Sequence, residues 1–373
     1  MKYFKIFFLL LVIAVQSSCL SADEDPVIVP PMTGATVDPA VGGATQPNQI
    51  WIDLSDIDPV TKKLKQKSNL RTDWDLGFYS GDEFRVIING SIAMAVAKIP
   101  NATDINSVKT ANVSALMGAV TVGTFTETNM QYVDNPNGNF LVQTTGISEI
   151  KVNDSENAIY LVNMGKTIPT GTVASGSTSL SGDSRGWKKI QILRHPNGYK
   201  LKYANLDDSQ YKEYLVTKNT EYNFSFFNLQ KEIPVEIQPA KSKWDIAFTT
   251  FTNEVFTAPN QSAGSYFYAD FIISNTLNGV GVYQVNVPSG QSMDQAYGAF
   301  QLNNIEASKF VFNDHRALGD KWRTTTGTNG AQVYTNRFFI LKDAEGFYFK
   351  LRFNGMTSSS GERGFPSFEF EPL

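Results

Sequence analysis

Short runs rich in β-branched and aromatic residues recur along nearly the whole chain. IWIDL from Ile50, EFRVIIN from Glu83, GNFLVQTT from Gly138, NAIYLVN from Asn157, KKIQIL from Lys188 and YKLKYA from Tyr199 are separated by Gly, Asn, Asp and Pro, which predicts strands joined by turns. Helical periodicity is scarce. Its best instance is NSVKTANVSALMGAV from Asn106, where apolar positions are unevenly spaced and valines lower the propensity. IPTGTVASGSTSLSGDSRG from Ile168 is a Gly/Ser/Thr loop that ends just before Trp187.

The pattern is said twice. Trp74-Asp75-Leu76-Gly77-Phe78 is echoed by Trp244-Asp245-Ile246-Ala247-Phe248, and each is preceded by a related strand, WIDL from Trp51 or FFNL from Phe226. FRVIIN from Phe84 follows the first motif and DFIISN from Asp270 the second. A hairpin comes later in each half, turning at Gly198 or Gly346 and returning through Leu201-Lys202-Tyr203 or Leu351-Arg352-Phe353. Ordered repetition of this kind predicts one fold built twice, in two independently cored domains over 47–219 and 220–373 that join near Thr220. Within it Trp74 and Trp244 are expected to pack in cores, with Asp75 and Asp245 capping a turn or strand edge.

The chain opens as an export signal over residues 1–18: Lys2 and Lys5, then the apolar run FFLLLVIAV, then Ser17-Ser18 leading to Cys19. Cys19 is the only cysteine, so no intramolecular disulfide or cysteine metal site exists. The stretch resembles a bacterial lipoprotein signal, which makes Cys19 the lipidation site. Gln16 stands where leucine is commonest, and ordinary cleavage near Leu20-Ser21-Ala22 is the competing reading. Asp23-Glu24-Asp25 resembles the surface-export signal of Bacteroidetes lipoproteins. Residues 19–46, rich in Pro, Gly and small side chains, read as a tether reaching roughly 30 Å.

Composition narrows the function. With 373 residues, 42% hydrophobic and 18% charged, the chain can bury a substantial core, and 26 Phe with 15 Tyr lean towards β-structure. A net charge of -4 supplies no basic field, so nucleic acid is not an expected partner. The membrane is reached through the lipid anchor alone, since no later apolar run is long enough to span it. HExxH, GxSxG, P-loop and dinucleotide motifs are missing from the sequence, so no enzyme is expected. The Asn-x-Ser/Thr triplets at Asn101, Asn112, Asn223 and Asn260 read as polar loop residues.

The ordered set of WDLGF or WDIAF, GDKWR at Gly319–Arg323, ILKDAEGFYFKLRF and the C-terminal GERGFPSFEF resembles the HmuY family of Bacteroidetes haem-binding surface lipoproteins. The likeness is clearest from FFNL to the end. It implies an all-β fold of packed antiparallel sheets with few short helices, here as two tandem domains. It also implies an outer-membrane, cell-surface location, and capture of haem or a related porphyrin for uptake through a TonB-dependent receptor.

Haem iron needs axial donors in an apolar slot. His195, in RHPNGY, falls in a hairpin turn, and His315 borders another polar turn. Placed in different domains, they are not expected to form a bis-histidine pair. The candidate iron donors are Met94, Met293 and His315, with Met117, Met130 and Met356 behind them, although core filling is the commoner fate of such methionines. The competing reading is a glycan-binding or adhesive lipoprotein whose Trp and Tyr stack on sugars. A deep aromatic slot or an exposed flat face would discriminate the two.

Overall fold

The computed structural model describes residues 34–58, 60, 61, 63–143, 145–326 and 330–373. The expected signal, Cys19 and the first part of the tether lie outside these residues. The regular structure of the described chain is mostly antiparallel sheet, as the alternation predicts.

Two sheets form the outer layers. One runs β10 (Lys212–Thr217), β9 (Gly198–Asn205), β8 (Trp187–His195), β7 (Ile159–Asn163) and β6 (Ala95–Lys98). The other runs β1 (Ala35–Val37), β20 (Arg363–Pro372), β19 (Tyr348–Thr357), β18 (Arg337–Lys342) and β15 (Gly281–Asn286). Between them lie two inner sheets, β12 (Ile233–Val235)-β11 (Phe224–Asn228)-β4 (Leu76–Tyr79)-β5 (Val86–Ile88) and β14 (Gln261–Ser274)-β13 (Ile246–Ala258)-β2 (Asn48–Ile57)-β3 (Leu64–Leu70). A short ribbon joins β16 (Arg323–Thr324) to β17 (Gln332–Val333). Two helices are present among the described residues that are longer than a single 3₁₀ turn or two: α1 (Thr110–Ala119), inside the expected segment, and α2 (Met293–Ala299). α2 starts at a capping box in which Ser292 and Gln295 bond reciprocally.

The period-2 rule explains the layering, because successive side chains leave a strand on opposite faces. Leu76, Phe78, Val86, Ile88, Phe227 and Leu229 face the first outer sheet and meet Ile190, Ile192, Tyr199 and Leu201 in one core. Ile50, Ile52, Leu54, Ile246 and Phe248 face the second outer sheet and meet Phe339, Leu351 and Phe368 in another. The alternate residues of the inner sheets, Trp51, Trp74, Ile87, Phe224, Phe226, Trp244 and Ala247, pack together in a seam between them. The inner strands are therefore apolar on both faces, which is why IWIDL and the WD motifs carry so few polar positions. Gly77 has to be small, since a Cβ there would lie 2.8 Å from Cγ1 of Ile87 and 3.1 Å from Cε1 of Phe226.

Two expectations about organisation need correction. The sheets do not divide at Thr220: β11, beyond that point, pairs with β4 before it, and β13 pairs with β2. The two-sheet units each have a core, as the repeat requires, but each draws two inner strands from the other half of the chain, β11 and β12 in one and β2 and β3 in the other. The physical reason is that WIDL and FFNL have the same pattern, so either can dock on either WD strand. The second correction concerns the tether. Residues 35–37 form β1 on the edge of β20, pairing Ala35 with Phe370 and Val37 with Phe368, and Val41, Ala44 and Gln46 are buried. The body thus begins well before residue 47.

Candidate functional site

The repeated motif builds the frame of the seam. Asp75 donates its backbone N–H to the carbonyl of Phe227 at 3.0 Å, and its carboxylate accepts the N–H of Leu229 at 2.7 Å. Asp245 does the same across the other junction, donating to Ile52 at 2.8 Å and accepting from Leu54 at 2.9 Å. Behind each motif an asparagine side chain ties the turn. Asn89 donates to the carbonyls of Arg71 and Trp74, both at 2.7 Å, and Asn275 to those of Lys241 and Trp244, at 2.7 and 2.9 Å. The tryptophans meet an aromatic edge-on: Trp74 with Phe226 at 5.0 Å, Trp244 with Trp51 at 4.9 Å. The four motif residues thus have a structural part in the fold.

The copies differ in charge. Asp75 is ion-paired with the buried guanidinium of Arg185 at 2.6 Å. Asp245 forms no ion pair among the described residues, and burial, reinforced by Asp53 and Asp343, raises its pKa well above the carboxylate range.

A cavity of about 110 Å³ lies in the seam, walled by residues from both inner sheets. Trp51, Trp74, Trp244, Ile87, Phe140 and Phe224 make it aromatic and apolar, and Met94 and His315 also line it. Two of the three expected iron donors are therefore brought to one place. Met293 is not: it sits on α2, packed beside Tyr283, Tyr297 and Phe338. Met356 is inside the second core and Met117 packs beside Val113. Met130 lines a larger pocket of about 680 Å³ that shares Val133, Asn135 and Pro136 with the seam cavity. His195 ends β8 opposite Gly198, in the hairpin turn expected of it. Among the described residues no group of three or more His, Cys, Asp and Glu is placed to hold a metal ion.

The wall between the two pockets is the segment from Val133 to Ile147. GNFLVQTT at Gly138, expected as a strand, is part of it and forms no strand pairing among its described residues. Asn135 and Asn137 each accept a backbone N–H two residues on, from Asn137 and Asn139, and these local turns displace a ladder. Phe140 from this segment enters the seam beside Phe224. Asp134 anchors it, accepting N–H groups from Ile88 at 2.8 Å and Gly146 at 2.7 Å. Burial pushes the Asp134 carboxyl up to about 7 against the pull of those two donors.

The same segment holds His315. The ring Nε2 lies 2.7 Å from the Pro136 carbonyl, which can only accept, so Nε2 carries the proton and Nδ1 is bare. Nδ1 faces Gly138, where a Cβ would collide with the ring. Phe251 and Phe140 flank the imidazole edge-on at 5.3 and 6.3 Å. Burial lowers the His315 pKa to about 4, with Asp314 opposing. Two further polar groups, Trp244 Nε1 and Gln238 Oε1, belong to residues lining the cavity and have no hydrogen-bond partner among the described residues. Nothing in the sequence marks Asp134, Gln238 or Phe140, because their meaning lies in a segment folded across a seam.

Comparison with solved structures finds partial likenesses. The crystal structure of the apo HmuY analog of Tannerella forsythia, TFO, is 17% identical, with 47% of this chain and 89% of that one covered and a TM-score of 0.20. Apo PinO from Porphyromonas gingivitis is 15% identical, with 49% and 95% covered and a TM-score of 0.16. A search of curated proteins gives no match. The family model for HmuY protein matches residues 45–370, through both halves and both WD motifs, and the chain belongs to the HmuY family.

Proposed function

We propose that this chain is a cell-surface lipoprotein, anchored through Cys19 at the outer membrane, that binds haem or a related porphyrin in the seam and passes it to a TonB-dependent receptor. The observation that carries the reading is that Met94, a buried member of the first core, and His315 both line one aromatic-walled cavity. A thioether and an imidazole are both iron donors, and an apolar wall supplies the burial that holds a porphyrin. His315 has the arrangement usual for a metal-bound histidine, one ring nitrogen donating to a backbone carbonyl and the other bare.

The seam cavity, at about 110 Å³, is smaller than the roughly 300–1,000 Å³ of small-molecule sites. The porphyrin therefore enters by displacing the wall at Val133, Asn135 and Pro136, which lines both the seam cavity and the larger pocket beside it. That movement also frees Nδ1 of His315 from Gly138. The chain's residues act by burying, ligating and releasing a ligand.

Titration of the purified chain with haemin tests this. A shifted Soret band that saturates at a defined stoichiometry supports it. A spectrum equal to free haemin at every ratio, with retention on a polysaccharide column, moves the function to glycan binding.

A further inference from the structure

A line of aromatic rings leads from the surface to the cavity. Phe125 and Tyr266 are the outer pair, 60% and 41% exposed, with ring centroids 5.6 Å apart and planes inclined by 36°. Tyr266 meets Tyr268 at 5.3 Å, Tyr268 meets Phe271 at 6.1 Å, and Phe271 stacks on Phe251 at 4.5 Å. Phe251 then contacts His315 at 5.3 Å, in the cavity wall.

Strand alternation alone would not produce this line. Tyr266 and Tyr268 share a face, but Phe271, three residues on, should point the other way. A bulge corrects it: Thr249 pairs with Phe271 and Phe251 with Tyr268, so one extra residue is accommodated in β14, where Asp270 takes a φ of +51°. The outer end is built as deliberately. Phe125 has a φ of +52°, a left-handed backbone that a bulky side chain rarely adopts. Gly264, at φ +89°, lets β14 approach so closely that a Cβ would collide with the Thr126 carbonyl. The Gly123 N–H bonds to the Ser265 carbonyl at 3.0 Å, fixing the 123–126 turn on the strand. Backbone strain is thus kept at a residue whose ring stays in solvent.

We propose that Phe125 and Tyr266 form a landing platform for a planar, conjugated tetrapyrrole, from which the ligand moves along the Tyr268 face to the cavity. This rests on the reading of the seam as a porphyrin site. Two adjacent exposed rings, tilted by 36°, offer aromatic faces to a flat apolar ligand, since stacking needs a face and no hydrogen-bond match. The line of rings continues inward through the buried Phe271 to Phe251 and His315 in the cavity wall.

Stopped-flow mixing of the full-length chain with haemin, and fluorescence anisotropy with metal-free protoporphyrin IX, test the platform. In the F125A/Y266A variant haemin should associate about fivefold more slowly while the final spectrum is unchanged. F125W should restore the rate, and F125G, which relieves the strain but removes the ring, should not. An association rate equal to wild type in F125A/Y266A overturns the proposal. If wild type gives no haemin spectrum, the seam reading fails, and protoporphyrin anisotropy decides the platform separately. Loss of the anisotropy rise in the double variant supports it; an equal rise, or none in wild type, overturns it.

Discussion

The carboxylate of Asp75 accepts the backbone N–H of Leu229, 154 positions further along the chain. The bond joins the WD motif of the first half to the strand that introduces the second. Asp245 reaches back to Leu54 in the same way. The two halves are thus reciprocally strand-exchanged, and the seam that carries the cavity is made by that exchange.

Separate expression should fail for this reason. A fragment over 47–219 keeps β4 without β11, and one over 220–373 keeps β13 without β2, leaving inner-sheet edges and apolar seam residues exposed. Neither fragment should show a cooperative thermal transition by circular dichroism. A sharp transition in either would show that the exchanged strand is dispensable.

The homologous aspartates should respond oppositely to neutralisation. Asp75→Asn leaves the buried Arg185 guanidinium uncompensated and should cost about 3–5 kcal/mol. Asp245→Asn keeps an oxygen for the Leu54 N–H and removes a carboxyl whose pKa is raised by burial. A raised pKa means stability is present below the unfolded value and falls as pH rises through the folded one. The Asp245→Asn chain should therefore equal or exceed wild type in urea midpoint at pH 8. Equal losses in both variants would contradict the asymmetry.

Asp134 supplies a second pH dependence. Its folded pKa of about 7 against about 4 unfolded makes folding favourable by up to roughly 4 kcal/mol more at pH 4 than well above pH 7. Stability should decline as pH rises from 4 through 7, and Asp134→Asn should flatten that decline. Urea denaturation from pH 5 to 8 measures it, and parallel profiles would refute the assignment.

Much of the architecture was legible because alternation reports faces directly. IWIDL, NAIYLVN, KKIQIL and YKLKYA became β2, β7, β8 and β9. Their partners were less legible: WIDL and FFNL carry the same apolar pattern, so sequence alone favours the near WD strand over the far one only by proximity. GNFLVQTT misled because Phe140, Leu141 and Val142 look like a strand, whereas Phe140 fills the seam and Val142 is 78% exposed. β1 is three residues long, too short for any period to show. Met94 and His315 each had a plausible chemistry, but only the exchanged fold brings them to one cavity.

Gly138→Ala should loosen the wall. Gly138 has a φ of +73°, and a Cβ would strike His315. We expect the His315 pKa to climb from about 4 towards its ordinary value, read from imidazole proton shifts, with a stability loss of about 1–3 kcal/mol. An unmoved imidazole titration would mean that the segment does not control access to the ring.

The most direct measurement is the optical spectrum of the ferric and ferrous haem complexes of wild type, Met94→Ala, His315→Ala and Met293→Ala. The account predicts a saturable Soret shift in wild type and Met293→Ala, an altered low-spin spectrum with weaker binding in both Met94→Ala and His315→Ala, and no further loss of ligation from Met293. Wild-type spectra retained in both Met94→Ala and His315→Ala would contradict the assignment of the seam as the haem site.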